Sequence, residues 1–164
     1  MEVNLLEYDT VIFDLDETLW KGSRLDFWAK KLSGNIHREK DKIIDENGDY
    51  IELQNGIREV LEKLKSKRKN IGFITRGGLL DTEHDEQLVV RSLKMLDVYS
   101  FFNHQKSVLY KTDLKSRAIK PERKTIYIDD NNVDLSDMFN NNIRVDLLNR
   151  HDFNDWFDLL CLMR

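Results

Sequence analysis

Cysteine, proline and long apolar runs are all scarce in this chain of 164 residues. The single cysteine, Cys161, excludes a disulfide framework and a cysteine-ligated zinc site. One proline and seven glycines leave little room for a flexible linker. The N-terminus lacks a signal-peptide pattern, and no apolar run is long enough to span a bilayer, so a cytoplasmic protein without a membrane partner is expected.

The chain also has no strong excess of positive or negative charge, since its formal net charge is only -4. This mild balance argues against a general nucleic-acid binder and against a protein that binds membrane surfaces. The length fits one domain over residues 1–164, large enough for a sheet covered by helices on both faces. We expect a monomer or a weak homodimer.

The stretch VIFDLDETLW, residues 11–20, carries the first chemical signal. Its apolar start predicts a buried β-strand, and Asp14 and Asp16 follow at the carboxyl end of that strand, before Thr18. Open α/β sheets bind their ligands at the carboxyl ends of their strands. We therefore interpret Asp14 as a nucleophile, Asp16 as a proton donor, and the pair as half of a Mg²⁺ site.

Apolar runs typical of strands alternate with helical periodicity along the chain, which predicts a mostly parallel sheet in an α/β fold. The predicted strands cover residues 8–14, 71–74, 101–102, 125–128 and 143–145. The predicted helices follow an Asn55 cap, start near residues 81–82 and 114, and follow an Asp152 cap. Trp156 and Phe157 in the last helix have the spacing of core residues.

A polar insertion, at about residues 21–54, separates the first strand from the first helix and predicts a small cap. Asn47 and Gly48 lie between two β-prone runs, and Asn-Gly is the strongest short hairpin signal because both turn residues need positive φ. Trp20, Phe27 and Trp28 would either line the entrance of the site or pack the insertion, and packing is the favoured interpretation. A cap this small can only rim an active site, which favours a bulky or exposed substrate.

Polar residues from distant parts of the chain fall at the carboxyl ends of the predicted strands: Asp14, Asp16, Thr75, Arg76, Asp129 and Asp130. Right-handed crossovers bring these strand ends to one edge of the sheet. Carboxylates held close together repel one another unless a cation lies between them, and an all-oxygen set suits Mg²⁺. The pattern therefore predicts a Mg²⁺ site at this edge.

The same residues have the chemistry of phosphoryl transfer. Asp14 would accept the phosphoryl group as an aspartyl phosphate, and Asp16 would protonate the leaving alcohol and then activate water. Thr75 offers a hydroxyl and a backbone N–H to the transferring oxygens. A lysine would neutralise both the nucleophile and the phosphoryl oxygens.

DLDETLW, the strand end at Thr75, a downstream lysine and IYIDDNN resemble the motifs of the haloacid dehalogenase (HAD) superfamily of phosphotransferases. YIELQNGIREVLEKL and FFNH are similar to segments of its small magnesium-dependent phosphatases with a minimal cap. The resemblance implies a Rossmann-like fold with strand order 5-4-1-2-3. It also implies Mg²⁺ held by the Asp14 side chain, the Asp16 backbone carbonyl and one or both of Asp129 and Asp130.

The second and third motifs leave alternatives open. The chain has Thr75-Arg76-Gly77 where the resemblance leads us to expect Ser-Arg-Thr, so the hydroxyl is retained. Lys115 is the favoured catalytic lysine because Ile119 follows it at the spacing that the family pattern prefers. Lys111 and Lys106 are its rivals.

Two further charged residues also have alternative interpretations. Arg76 would bind the phosphate of the substrate or pair with a carboxylate of the site. Asp134 would be an outer-shell group of the metal or the N-terminal cap of the helix that follows Asp130.

A Mg²⁺-dependent phosphomonoesterase is the leading functional hypothesis, and the resemblance implies phosphotyrosine, phosphoprotein or sugar-phosphate substrates. A phosphotransferase of the same superfamily shares the first half-reaction. A receiver-like signalling module also combines an acid pair, a phospho-acceptor aspartate, a threonine and a lysine. The order of the motifs argues against the receiver, because here the acceptor follows the first strand and the acid pair lies near the end of the chain.

Overall fold

The computed structural model describes residues 2–22, 36–76 and 82–164, with side chains for all of these except residues 82–87. The interpretation of Phe27 and Trp28 therefore lies outside the described residues, as does Gly77. In chain order the strands are β1 (Thr10–Phe13), β2 (Trp20–Gly22), β3 (His37–Glu39), β4 (Lys42–Ile44), β5 (Tyr50–Leu53), β6 (Asn70–Arg76), β7 (Lys106–Leu109), β8 (Thr125–Asp129) and β9 (Asp146–Asn149). The α-helices are α1 (Ile57–Ser66), α2 (Thr82–Met95), α3 (Lys115–Ala118), α4 (Asn132–Asn140) and α5 (Trp156–Leu160).

The main sheet has five parallel strands in the order β7-β6-β1-β8-β9. Numbered within this sheet alone, that order is the predicted 5-4-1-2-3 read from the other edge. The prediction of an α/β, Rossmann-like fold with a mostly parallel sheet is confirmed.

Alternate residues of the central strands pack into two separate apolar clusters. Val11 and Phe13 of β1 belong to the larger cluster, which also contains buried residues of α1 and α5. Ile12 of β1 and Tyr127 of β8 belong to the smaller cluster on the other face. Strands buried on both faces in this way read as continuous apolar runs, which is why β1, β6 and β8 were recognisable in the sequence.

The predicted insertion forms a small antiparallel sheet in the order β2-β5-β4-β3. The β4–β5 hairpin is confirmed, and Gly48 in its turn has a φ of +82°. Strands β2 and β3 were not predicted. In this cap sheet only Ile43, Ile51, Leu53 and Trp20 are buried, so the apolar periodicity that reveals a strand is weak elsewhere.

Two strand predictions are wrong. Residues 101–102 do not form a strand, since Phe101 ends a short 3₁₀ helix and the Phe102 ring packs edge-on against Phe73 with centroids 5.0 Å apart. The apolar signal there comes from core packing, and the edge strand is the more polar β7. Residues 143–145 precede the last strand, because β9 pairs with β8 only from Asp146 onward.

Two helix caps also differ from the prediction. Gly56, with a φ of +85°, is the N-cap of α1 in place of Asn55. Asp155 is the N-cap of α5 in place of Asp152, and its side chain accepts a hydrogen bond from the backbone N–H of Phe157. Phe157 is 43% exposed, so its assignment to the core is wrong, whereas Trp156 is fully buried.

Among the helices of the described residues, none combines the length and the apolar character needed to cross a bilayer.

Candidate active site

Strand register brings the first and last acidic motifs to the same edge of the sheet. Phe13 is paired with Ile128 across β1 and β8, so Asp14 and Asp129 are the next residues of adjacent parallel strands. The backbone N–H of Asp14 donates to the carbonyl of Ile128 at 2.8 Å and continues the ladder. On the other side of β1 lies β6, in which Phe73 is the partner of Phe13. Thr75 follows Phe73 by two residues, so it lies near the same edge.

Three carboxylates form a compact cluster at this edge. One oxygen each of Asp14, Asp129 and Asp130 lies within 4.8 Å of the other two. Burial raises the pKa of Asp14 well above its ordinary value, and Asp129 and Asp16 raise it further, while Lys115 acts against them. A largely buried all-oxygen cluster of this kind fits a hard divalent cation.

Lys115, the first residue of α3, provides the positive charge of the cluster. Its Nζ lies 2.7 Å from Oδ1 of Asp14, 3.0 Å from Oδ2 of Asp129 and 3.5 Å from Oδ2 of Asp134. Burial on its own would lower the pKa of Lys115, but Asp14 and Asp129 raise it above its ordinary value, so the ammonium stays charged.

The two rival lysines lie elsewhere on the molecule. Lys106 is exposed on β7, with its Nζ 4.8 Å from the centroid of the Tyr99 ring. Lys111 is exposed in the turn that follows β7. Of the three candidates, the structure therefore brings only Lys115 to Asp14.

Asp16 stands beside the cluster and is held by Trp20. The indole Nε1 of Trp20 donates to Oδ1 of Asp16 at 2.7 Å. Burial raises the pKa of Asp16 to about 6, although the hydrogen bond from Trp20 works in the opposite direction. The Asp16 carboxylate is not part of the three-carboxylate cluster.

Arg76 and Asp134 pair with each other. Nη1 and Nη2 of Arg76 donate to the two carboxylate oxygens of Asp134 at 2.9 and 2.8 Å, and Nε donates to the carbonyl of Asp113 at 2.9 Å. These bonds hold the pKa of Asp134 below its ordinary value, against the effect of burial. Of the two alternatives for Arg76, the structure contains the carboxylate pair.

Asn131 is the N-cap of α4, so the alternative in which Asp134 is the cap is wrong. The Asn131 side chain accepts hydrogen bonds from the backbone N–H groups of Val133 and Asp134. Asp134 lies in the first turn of this helix and is connected to the cluster through Lys115, whose Nζ lies 3.5 Å from Oδ2 of Asp134.

Sequence reasoning missed several hydrogen bonds in the site, including the bond from Trp20 to Asp16 and two bonds donated by hydroxyl groups. The Thr18 hydroxyl donates to Oδ1 of Asp130 at 3.4 Å, and the Tyr127 hydroxyl donates to Oδ2 of Asp129. Alternation along β8 could have indicated the second one, since Tyr127 precedes Asp129 by two residues and both therefore face the same side of the sheet. Thr75 is buried in β6, and its hydroxyl lies 3.5 Å from the carbonyl of Arg76.

A polar cavity of about 460 Å³ lies along the same edge of the sheet. Residues of the Asp14 loop, the start of α1 and the segment after β9 line it; they include Glu17, Lys21, Asn55, His151 and Asn154. Asp129 and Asn149 are register partners, so this segment leaves β9 next to the point where Asp130 leaves β8. A cavity of this size can hold part of a small ligand.

The fold and the family are both recognisable in known proteins. The structure is similar to the crystal structure of a HAD-superfamily hydrolase from Ehrlichia chaffeensis, with 14% identity, a TM-score of 0.53, and coverage of 93% of this chain and 94% of that one. No curated relative matches the chain. The sequence model of the Acid Phosphatase family matches residues 8–146, which include Asp14, Lys115 and Asp129. The chain therefore belongs to the Acid Phosphatase family and, as predicted, has the fold of a HAD-superfamily hydrolase.

Proposed function

We propose that this protein is a Mg²⁺-dependent phosphomonoesterase that works through an aspartyl phosphate on Asp14. The observation that carries the proposal is the cluster of Asp14, Asp129 and Asp130, in which Nζ of Lys115 lies 2.7 Å from the Asp14 carboxylate. A nucleophilic carboxylate and a phosphate are both anions, so their approach requires positive charge between them.

Mg²⁺ would be held by the side chains of Asp14, Asp129 and Asp130 and by the backbone carbonyl of Asp16. When bound, it would supply Lewis-acid stabilisation of the phosphoryl oxygens. The oxygen-only donor set of the three side chains is the support for this choice of metal.

The first half-reaction transfers the phosphoryl group to Asp14. A carboxylate oxygen of Asp14 attacks phosphorus, the ester P–O bond breaks, and the bonding electrons leave with the alcohol oxygen. Asp16 donates a proton to that oxygen, so the leaving group departs as a neutral alcohol. Lys115 and Thr75 hold the transferring oxygens during this step.

The second half-reaction regenerates the enzyme. Asp16, now ionised, removes a proton from a water molecule, and the resulting hydroxide attacks the phosphorus of the aspartyl phosphate. The P–O bond to Asp14 breaks, inorganic phosphate leaves, and Asp14 returns to its carboxylate form. Hydrolysis distinguishes this sequence from a phosphotransferase, which would deliver the group to another alcohol.

For the substrate we propose a phosphotyrosine or phosphoprotein side chain, or a sugar phosphate. The small cap sheet and the polar cavity lined by Glu17 and His151 support a leaving group that extends over the rim of the site. Arg76 would contribute to phosphate binding only if its pair with Asp134 opened.

The test is hydrolysis of an aryl phosphate by the wild type, Asp14→Asn and Asp152→Asn, with Mg²⁺ or EDTA. We expect activity in Mg²⁺ for the wild type and for Asp152→Asn, an exposed acid outside the cluster, and loss of activity for Asp14→Asn. Acid quenching with ³²P-labelled substrate should leave label on the peptide that contains Asp14. Full activity of folded Asp14→Asn would overturn the proposal.

A further inference from the structure

The Tyr127 hydroxyl belongs to none of the groups given a role in the proposed reaction. Tyr127 lies in the middle of β8 and is fully buried. Its ring packs in the smaller apolar cluster with Ile12, Ile74 and Met138. Phenylalanine would fill the same apolar space without a hydroxyl that needs a partner, so the choice of tyrosine calls for a reason.

The partner of this hydroxyl is a carboxylate of the proposed metal site. The Tyr127 hydroxyl donates to Oδ2 of Asp129, and Lys115 Nζ donates to the same oxygen at 3.0 Å. The backbone N–H of Asn131 donates to the other oxygen, Oδ1, at 3.0 Å. Three donors thus fix both oxygens of a carboxylate that is itself fully buried.

Sharing of Oδ2 affects Lys115 as well as Asp129. The ammonium of Lys115 is bonded to both Asp14 and Asp129, and the bond to Asp14 is the shorter one, at 2.7 Å. Without the hydroxyl, the Asp129 carboxylate would lose one of its donors and would attract the ammonium more strongly. The lysine would then be displaced away from Asp14.

We propose that Tyr127 is a positioning residue of the phosphatase reaction, whose hydroxyl orients Asp129 for Mg²⁺ and keeps the Lys115 ammonium on Asp14. This inference rests on the proposed Mg²⁺-dependent function. Partners that hydrogen-bond to a metal-ligating side chain fix its orientation, and removal of such a partner typically weakens metal binding roughly tenfold to a hundredfold.

A structural role alone is the competing explanation, and the chain offers a matched control for it. The Tyr8 hydroxyl donates to Oδ2 of Asp146 at 2.7 Å, and Tyr8 is also buried. Asp146 starts β9, so this bond lies at the opposite edge of the sheet from Asp129, which ends β8. Tyr8→Phe therefore removes a hydroxyl-to-carboxylate bond of the same kind away from the site.

The experiment compares the wild type, Tyr127→Phe and Tyr8→Phe by Mg²⁺ calorimetry on the metal-free protein and by steady-state hydrolysis of an aryl phosphate. For Tyr127→Phe we expect the Mg²⁺ Kd to rise about tenfold or more. We also expect kcat to fall by a similar factor at saturating Mg²⁺, with KM changed less than twofold. Tyr8→Phe should leave Kd and kcat within twofold of the wild type. Tyr127→Met, which also lacks the hydroxyl, serves if the phenylalanine variant does not fold.

The outcomes separate this inference from the proposed function. If the wild type binds Mg²⁺ and hydrolyses the ester but the variants without the Tyr127 hydroxyl match it within twofold, the positioning role is overturned and the proposed function stands. Equal losses in Tyr127→Phe and Tyr8→Phe would also overturn it, because they would indicate a general loss of stability. A wild type that neither binds Mg²⁺ nor hydrolyses any phosphate ester would overturn both.

Discussion

At the scale of single residues, the site is defined by charges that are held out of water. Asp14, Asp129 and Asp134 are buried, and the equally buried Lys115 contacts all three. A buried charge network is costly to assemble, and removal of one partner leaves the others uncompensated. Stability and the proposed catalysis therefore depend on the same side chains.

Replacement of Lys115 by methionine should affect both properties. We expect kcat to fall by roughly a hundredfold to a thousandfold because the transferring oxygens lose a positive charge. In EDTA the variant should be less stable by about 3–5 kcal/mol, since three buried carboxylates lose their shared partner. Mg²⁺ should restore part of that loss, so its stabilising effect should be larger in the variant than in the wild type.

Urea unfolding with and without Mg²⁺ measures this effect. Lys111→Met is the matched control, because Lys111 is exposed and outside the cluster. The control should leave kcat and the free energy of unfolding nearly unchanged. If the two variants behaved alike, Lys115 would have no special place in the cluster.

A second residue-scale prediction concerns pH and Tyr8. Burial and the hydrogen bond to Asp146 raise the pKa of Tyr8 to about 12, from an ordinary value of 10.0. The folded state holds the proton of the Tyr8 hydroxyl more tightly than the unfolded chain does. The contribution of this hydroxyl to the free energy of unfolding is therefore complete below pH 10 and is lost as the pH rises towards 12. Its size should be about 1–2 kcal/mol, since the exposed Asp146 is partly screened by solvent.

The measurement is the free energy of unfolding of the wild type and of Tyr8→Phe between pH 9 and pH 12, about the range in which tyrosine titrates. Other tyrosines and lysines also titrate there, so the informative quantity is the difference between the two proteins. We expect that difference to shrink as the pH rises. A difference that is independent of pH would contradict the raised pKa.

At the scale of elements, the contact between α1 and α5 depends on a glycine. Gly56 is the N-cap of α1, and a Cβ at this position would lie 2.7 Å from the backbone nitrogen of Phe157. The backbone N–H of Trp156 donates to the carbonyl of Asn55 at 3.0 Å in the same place. The C-terminal helix therefore docks directly on the start of α1.

Gly56→Ala should destabilise the protein more than Gly48→Ala does. Both glycines have positive φ, so both substitutions introduce backbone strain of about 1–2 kcal/mol. A Cβ at Gly56 meets neighbouring backbone, whereas a Cβ at Gly48 meets no atom of the described residues within 4 Å beyond its own chain neighbours. Thermal unfolding should therefore give a lower Tm for Gly56→Ala than for Gly48→Ala. Equal Tm values would contradict this prediction, because they would mean that α5 can shift away from α1 without loss of stability.

At the scale of the whole molecule, the polar cavity joins three separate parts of the chain next to the proposed catalytic groups. The backbone carbonyl of Glu17 accepts a hydrogen bond from Gln54, and Gln54 in turn accepts one from Arg150. Asn55 and Asn154 are exposed and line this cavity, where their side-chain amides can hydrogen-bond a ligand. Such a surface suits a leaving group rich in hydroxyls more than an aromatic ring.

Asn154→Leu should therefore lower the kcat/KM for a hexose phosphate relative to that for phenyl phosphate. We expect the ratio to fall about fivefold or more, in line with the loss of a polar contact of about 1 kcal/mol. Asn140→Leu is the control, since Asn140 is exposed at the far end of α4. Steady-state kinetics on both substrates measure the ratio, and no difference between the two variants would exclude the cavity from substrate binding.

The composition of the strands and the position of the acids were sufficient for the fold and for most of the site. Continuous apolar runs marked the buried strands β1, β6 and β8. Asp14 directly follows β1, and Asp129 is the last residue of β8. In a parallel sheet, strand ends of this kind must meet at one edge. The strands with weaker burial, β2, β3, β7 and β9, were missed or misplaced because their apolar pattern is incomplete.

Pairings across the site were decided only by the tertiary structure. The sequence by itself determined that Asp14, Asp129 and Asp130 would converge, because strand connectivity leaves them no other place. The packing of α3 and α4 against the sheet decided three contacts. It brought Lys115 rather than Lys111 to Asp14, and it paired Arg76 with Asp134. It also directed the Tyr127 hydroxyl to Asp129. Such contacts join residues that are distant along the chain, and local sequence patterns carry no information about their distances.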